Sequence, residues 1–250
     1  MSRTVIIAAM EREVKALVRG WQQGSIGEGL RSFRAFESAE LAVVISGIGS
    51  RRAEAAARAA LAHYRPARLV SAGVAGALIR SLKAGSVFTP NVVVDAADGT
   101  EYRTSFEAGS VVGGGILVSA GEIAGAKAKQ ELVERFHALV VDMEAASVAR
   151  VAQEAGVEFR CVKAISDEAD FVMPPLGRFV DGEGNFQDGR FAVWAALRPW
   201  HWGKVATLGR NSAKAAHALC EWLARNLPVD QAVGVATLKR EFPEVVADRQ

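Results

Sequence analysis

Cysteine is scarce in this 250-residue chain: Cys161 and Cys220 are the only two, far apart and in no metal-ligand spacing. That excludes a disulfide framework and a cysteine-held metal, and it fits a reducing compartment in which each thiol is a small buried hydrophobe. Long apolar runs are also missing, since no window approaches the ~20 residues a membrane span requires. The N-terminus, MSRTVIIAAMEREV, turns to charges too early for a signal peptide. The expectation is a cytoplasmic protein. Excess charge of one sign is lacking as well: 30 Lys and Arg against 28 Asp and Glu leave +2, with no electrostatic footprint for nucleic acid. No repeat or low-complexity linker interrupts the chain. Half of the residues are hydrophobic, enough for a large core, so residues 1–250 read as one globular domain.

What is present is an alternation of short apolar runs with longer helical patterns. TVIIAAM (4–10), LAVVISGIG (41–49), ARLVSAGVAGAL (67–78), SVFTPNVVVDAA (86–97) and GGILVSA (114–120) read as strands. RRAEAAARAALAHY (51–64), closed by Pro66, and AKAKQELVERF (126–136) read as helices. ALVVDMEAASVARVAQEAG (138–156) passes from strand to helix, FRCVKAISDEAD (159–170) is another strand, and SAKAAHALCEWLARNL (212–227) is the last helix. Nearly continuous β-branched strands separated by helices predict an α/β fold with a mostly parallel, mixed central sheet covered on both faces.

Ligands of open α/β sheets bind outside the carboxyl ends of strands. The residues at those ends are Glu11 and Glu13, then Gly47 to Gly49, then the glycines of SAGVAGAL (71–78), then Asp142, Met143 and Glu144, then Ser166 and Asp167. Unpaired buried carboxylates are expensive, so acids gathered from three strands point to a site and not to packing. The run around Gly73 and Gly76 carries no reactive side chain, and it predicts that something approaches the backbone closely there.

Five stretches, IIAAMEREV, SGIGS, SAGVAGAL, VDMEA and KAISDEAD, stand in the order and approximate spacing of one family. The chain resembles the nucleoside phosphorylase/nucleosidase superfamily, and within it the methylthioadenosine/S-adenosylhomocysteine nucleosidases. The resemblance implies cleavage of an N-glycosidic bond with release of adenine, with no cofactor and no metal. It makes Val74, Ala75 and Gly76 the lining of ribose and base, in a glycine-rich turn after the third strand. It makes Asp167 the acid that protonates the purine N7, for which it needs a raised pKa from partial burial, with Ser166 orienting it. Glu13 matches the glutamate that activates the attacking water, with Glu11 the competing assignment; either could also be a helix-capping charge. Glu144 would accept the ribose 2′-OH and 3′-OH, and Met143 would pack beneath the sugar. Asp142 stands where the nucleosidases carry a glutamate, and Lys163 where they carry an arginine, so the charge is kept without the bidentate fork. Ser71 stands where phosphorolytic relatives place an arginine, whereas GIGSRRAE offers helix N-terminal N–H groups beside Arg51 and Arg52 for an anion. The nucleophile is left open between water and phosphate.

Residues 170–211 form an aromatic-rich insert before the last helix. With DMEAASVA and SAGEIAGAKAKQEL, this stretch resembles the hopanoid-associated phosphorylase subfamily, which implies a substrate of the adenosylhopane kind with a bulky lipid at the 5′ position. Phe171, Met173, Phe179, Phe186, Phe191, Trp194, Trp200 and Trp202 supply apolar surface for a substrate tail, a peripheral membrane contact, a dimer interface or a small satellite core. LRPWHWGK (197–204) has the composition of an interfacial anchor. A homodimer is expected. A non-catalytic nucleoside sensor on the same fold is the other reading, and it has no need of both Glu13 and Asp167.

Overall fold

The computed structural model describes residues 3–27, 32–105, 114–171, 175–182 and 184–227. In chain order the elements are β1 (Thr4–Ala8), α1 (Glu11–Val14), β2 (Gln22–Ile26), β3 (Phe33–Glu37), β4 (Leu41–Ile45), α2 (Ser50–Tyr64) and β5 (Arg68–Ala77). Then come β6 (Val87–Phe88), β7 (Val92–Asp95), β8 (Glu101–Arg103), β9 (Ile116–Ser119), α3 (Ala126–Phe136), β10 (Val140–Asp142), α4 (Ala145–Ala155) and β11 (Glu158–Asp167). Two helices close the described chain, α5 (Asp188–Ala196) and α6 (Trp202–Asn226).

All eleven strands belong to one mixed sheet, in the order β2-β3-β4-β1-β5-β10-β9-β7-β8, with β11 beside β5 and β6 beside β11. The α/β class expected from the apolar runs is the one observed. The parallel pairs are β1 with β4 and β5, β5 with β11, and β9 with β7 and β10. The margins are antiparallel. There β2 and β3 were missed by pattern because β2 (QQGSI) exposes four of its five residues and shows no apolar alternation. The segment read as one strand over 86–97 is two, because Pro90, which lacks an N–H, separates β6 from β7. The last helix begins at Trp202, ten residues before 212, so residues 202–211, taken as the end of the insert, are the start of α6.

Each face of the sheet is covered for a legible reason. α2 buries Ala53, Ala56, Ala57 and Ala60, an i, i+3, i+4, i+7 stripe small enough to let α4 and the sheet close in. It stops where Arg65 turns left-handed (φ 47°), its N–H bonded to the Leu61 carbonyl, immediately before Pro66. The other face takes α6, through Ala215, Leu219, Cys220 and Leu223, together with Val14 and Leu17. Burial pushes the Cys161 and Cys220 thiols up to about 12 and about 11, so both stay protonated. Among the described residues no helix is long and apolar enough to cross a membrane.

The site is positioned by a fork at β5. Along one edge β11 pairs with β5 from Arg68 to Gly76. Along the other edge β1 pairs only with residues 68–71, and β10 enters antiparallel to pair with Gly76 and Ala77. Between the point where β1 leaves and the point where β10 arrives, residues 72–75 have no partner strand on that edge. A crevice opens there, at a topological switch point of the sheet.

Candidate active site

One cavity of about 530 Å³ fills the crevice. Glu13 follows β1 on α1, Val74, Ala75 and Gly76 come from β5, and Met143 and Glu144 follow β10. Ser166 and Asp167 end β11, and all eight residues line the cavity. The acids do not lie at one row of carboxyl ends, as the strand count suggested: β10 runs against β5 and delivers Asp142, Met143 and Glu144 from the opposite direction.

Gly73 and Gly76 lie inside β5 and not in a turn after it, which corrects the sequence reading. Each also faces a carboxylate. A Cβ on Gly73 would stand 3.1 Å from Glu13 Oε2, and one on Gly76 would stand 2.9 Å from Asp167 Oδ2. The missing side chains leave room for two carboxylates. Asp167 reaches its place because the β5–β11 register shifts between Ile165 and Asp167, a bulge that turns Ser166 and Asp167 toward the cavity.

Glu13 is buried, and Oε2 accepts the Met10 N–H at 3.2 Å, so the capping and cavity positions coincide. Burial raises its pKa above the ordinary carboxylate value, against the pull of the Lys163 charge. Glu11 points elsewhere: two residues apart on a helix is about 200° around the axis, and Glu11 is ion-paired with Arg34 on the surface. It leaves the set of candidate site residues. Glu144 accepts the Gly49 N–H on Oε1 at 2.8 Å, and its pKa is raised to about 7 by burial and by the neighbouring Asp142 charge. Gly49 (φ 99°) thus orients a cavity carboxylate, whereas Gly47 (φ 86°) turns the chain and bonds to the Ala9 carbonyl without lining the cavity.

Lys163 does not hold the site's glutamates directly. Its ammonium pairs at 2.8 Å with Asp142 Oδ2, both side chains buried. Burial works against the charged lysine, but Asp142 together with Cys161 and Glu144 outweighs it and the pKa rises. Asp142 also accepts from Ser119 Oγ (2.6 Å) and the Ala145 N–H (2.9 Å), which locks the start of α4. The anion site suggested around Arg51 and Arg52 is not assembled. Arg52 donates to the Ser46 carbonyl and covers the Phe33 ring, Arg51 is exposed, and the Gly49 N–H is taken by Glu144. Ser71 is buried in β5 and does not line the cavity.

Two basic residues of the cavity were missed. Lys129, buried on α3, donates to Asp167 Oδ2 at 2.6 Å and to the Glu168 carbonyl at 3.2 Å. Asp167 is therefore buried against a counter-ion, and Ser166 Oγ donates to its Oδ1 at 3.0 Å. The signal for Lys129 lay in the α3 pattern, where it takes the first place of the stripe Lys129, Leu132, Val133, Phe136, a position that ordinarily goes to an apolar residue. The other is Arg12, at the mouth, paired with Asp188 (3.3 Å) and lying over the Phe186 ring.

Much of the remaining lining is apolar: Leu176, Val180, Phe186 and Phe191, then Val205 and Leu208 of α6. Phe179, Phe186, Phe191 and Trp194 pack on one another, with Phe179 to Phe191 at 5.3 Å between centroids. This cluster is pinned to the β4–α2 turn by the Ile48 N–H donating to the Gly184 carbonyl at 2.7 Å. Trp200 and Trp202 stand outside the cavity and are exposed, and Met173 lies outside the described residues.

Known proteins share this fold. The family model of the phosphorylase superfamily matches residues 3–115 and 107–188. Among solved structures, a 5′-methylthioadenosine/S-adenosylhomocysteine nucleosidase of Helicobacter pylori superposes with a TM-score of 0.66 at 20% identity, covering 90% of this chain and 97% of that one. The futalosine hydrolase of the same organism gives 0.64 at 22% identity, over 90% and 98%. The corresponding nucleosidase of Neisseria meningitidis gives 0.65 at 17%, over 96% and 100%. At these identities the likeness is one of fold.

Proposed function

This chain belongs to the phosphorylase superfamily, and from that membership we propose that it cleaves the N-glycosidic bond of an adenine nucleoside carrying a large apolar 5′ substituent, of the adenosylhopane kind. One observation carries the reading: a single cavity is lined by Glu13, Glu144 and Asp167 together with an aliphatic and aromatic wall. The carboxylates suit an oxocarbenium-like ribose, and the apolar wall suits a tail. Adenine as the base rests on the resemblance of the KAISD stretch to the adenine-releasing nucleosidases.

In this mechanism Glu144 accepts the ribose hydroxyls and Met143 packs beneath the sugar. The C1′–N9 bond breaks with its electron pair passing to the purine. Asp167 relays to N7 the proton it takes from the Lys129 ammonium 2.6 Å away, which leaves the lysine as a neutral amine. Water attacks C1′ and yields its proton to Glu13, whose burial makes it a stronger base than an exposed glutamate. Water is favoured over phosphate because the two cavity-lining cations, Arg12 and Lys129, already face Asp188 and Asp167. In addition, Glu13 and Glu144 would repel a phosphate dianion. The same reading takes the enzyme as a cytoplasmic homodimer, and a single-protomer mass by light scattering would remove the dimer.

The test is adenine release from methylthioadenosine and from long-chain 5′-alkyl adenosines, with and without phosphate. A higher kcat/KM for the long chains and the free 5-substituted ribose as the sugar product are expected. Preference for methylthioadenosine returns the protein to a small-substrate nucleosidase, and a 5-substituted ribose 1-phosphate replaces water by phosphate.

A further inference from the structure

The tip formed by α5, the turn at 199–201 and the first turns of α6 carries the large exposed hydrophobic side chains of the described residues. Trp200 is 72% exposed, Leu197 70%, Val193 63% and Trp202 56%. Val193 and Leu197 lie one turn apart at the C-terminal end of α5, and Trp200 follows in the turn at 199–201. The tip is held in shape: Trp202 Nε1 donates to the Ala195 carbonyl at 2.9 Å, and the Arg198 guanidinium lies 5.1 Å from the centroid of the Trp194 ring. Charge is one-sided here although the whole chain is nearly balanced. From residue 189 to residue 220 there is no Asp or Glu, while Arg190, Arg198, Lys204, Arg210 and Lys214 fall in the same span. The flanking acids, Asp188 and Glu221, are already paired with Arg12 and Arg225.

We propose that this tip docks on an anionic lipid surface, with Trp200, Leu197, Val193 and Trp202 entering the interface and the surrounding cations facing the headgroups. Tryptophan beside Arg and Lys is the composition that settles at a membrane–water boundary, and each cation near an anionic leaflet adds attraction. A second copy of the chain fits less well, because a two-fold contact through this patch would set cations against cations. The inner sides of the same elements, through Phe191, Val205 and Leu208, line the cavity, so docking brings the cavity's apolar wall next to the lipid.

The test is co-sedimentation of the whole protein with vesicles of equal parts phosphatidylcholine and phosphatidylglycerol, and of phosphatidylcholine alone, without nucleoside. Because no turnover is read, failure of the catalytic reading leaves the result untouched. Binding to the anionic vesicles, weakened by salt, is expected. A Leu197→Ser/Trp200→Ser variant and an Arg190→Glu/Lys204→Glu variant should each lose about tenfold in partitioning, with unchanged circular dichroism. Equal recovery on both vesicle types, no binding, or variants that partition like the parent would overturn the proposal. So would a drop in light-scattering mass in the Leu197→Ser/Trp200→Ser variant without vesicle binding by the parent, which assigns the patch to an interface between copies.

Discussion

Asp167 sits across from Gly76 in the β5–β11 pairing, held by Ser166 on one oxygen and Lys129 on the other. A methyl group at residue 76 would enter at 2.9 Å from Oδ2, and the carboxylate is too well tethered to swing away freely. Gly76→Ala is therefore expected to lower turnover about tenfold through misplacement of the acid, while urea unfolding changes little. Turnover equal to the parent would detach Asp167's position from the chemistry. Glu144 carries the pH dependence. Its folded-state pKa is raised to about 7, so it is protonated on the acid side and becomes a full acceptor for the ribose hydroxyls only as pH rises through that value. Nucleoside affinity should rise roughly tenfold between pH 6 and pH 8, and Glu144→Gln should flatten the profile and weaken binding throughout. Calorimetric titration across that range checks the sign.

At the scale of elements, α3 reaches the site through one lysine. The remainder of its inward stripe is Leu132, Val133 and Phe136, packed on the small cluster formed with Val94, Val118 and Val141. Removing the Lys129 ammonium leaves Asp167 buried without its counter-ion and without a neighbouring proton source. Lys129→Met is expected to reduce kcat by about 100-fold, with Lys129→Arg retaining more activity because it keeps a cation there. If the methionine and arginine variants lose activity equally, the lysine serves packing and not proton supply. The bulge that ends β11 and the antiparallel entry of β10 do the remaining positioning, each by changing which way a side chain leaves its strand.

Across the whole molecule, the buried pair of Lys163 and Asp142 joins β11 to the start of α4. Neither ion is accessible to water, so breaking the pair leaves an uncompensated charge in the interior. Lys163→Met should cost about 3 to 5 kcal/mol of stability, read as an earlier urea midpoint. A loss of under about 1 kcal/mol would mean that Asp142 finds other compensation, from Ser119 and the Ala145 N–H.

The α/β class, the helix stripe of α2 with its stop before Pro66, and the order of the five motifs were all determined by the sequence. Each is local: a β-branched run, an alanine repeat or a proline acts on its own neighbours, and tertiary packing did not override them. Only the tertiary structure decided which acids meet. Glu13 enters the cavity and Glu11 does not because of rotation about α1, and Glu144 arrives through β10, whose antiparallel direction no spacing reveals. The glycines of β5 show the same division. That small residues are needed at Gly73 and Gly76 was legible, but that they face Glu13 and Asp167 follows from strand pairing between segments some sixty to ninety residues apart. Trp200 and Trp202 were grouped with Phe186 and Phe191 by composition, yet the start of α6 turns the first pair outward and the second pair inward. Composition shows that apolar surface exists, and only the packing of α5 and α6 against the sheet decides which of it is left facing water.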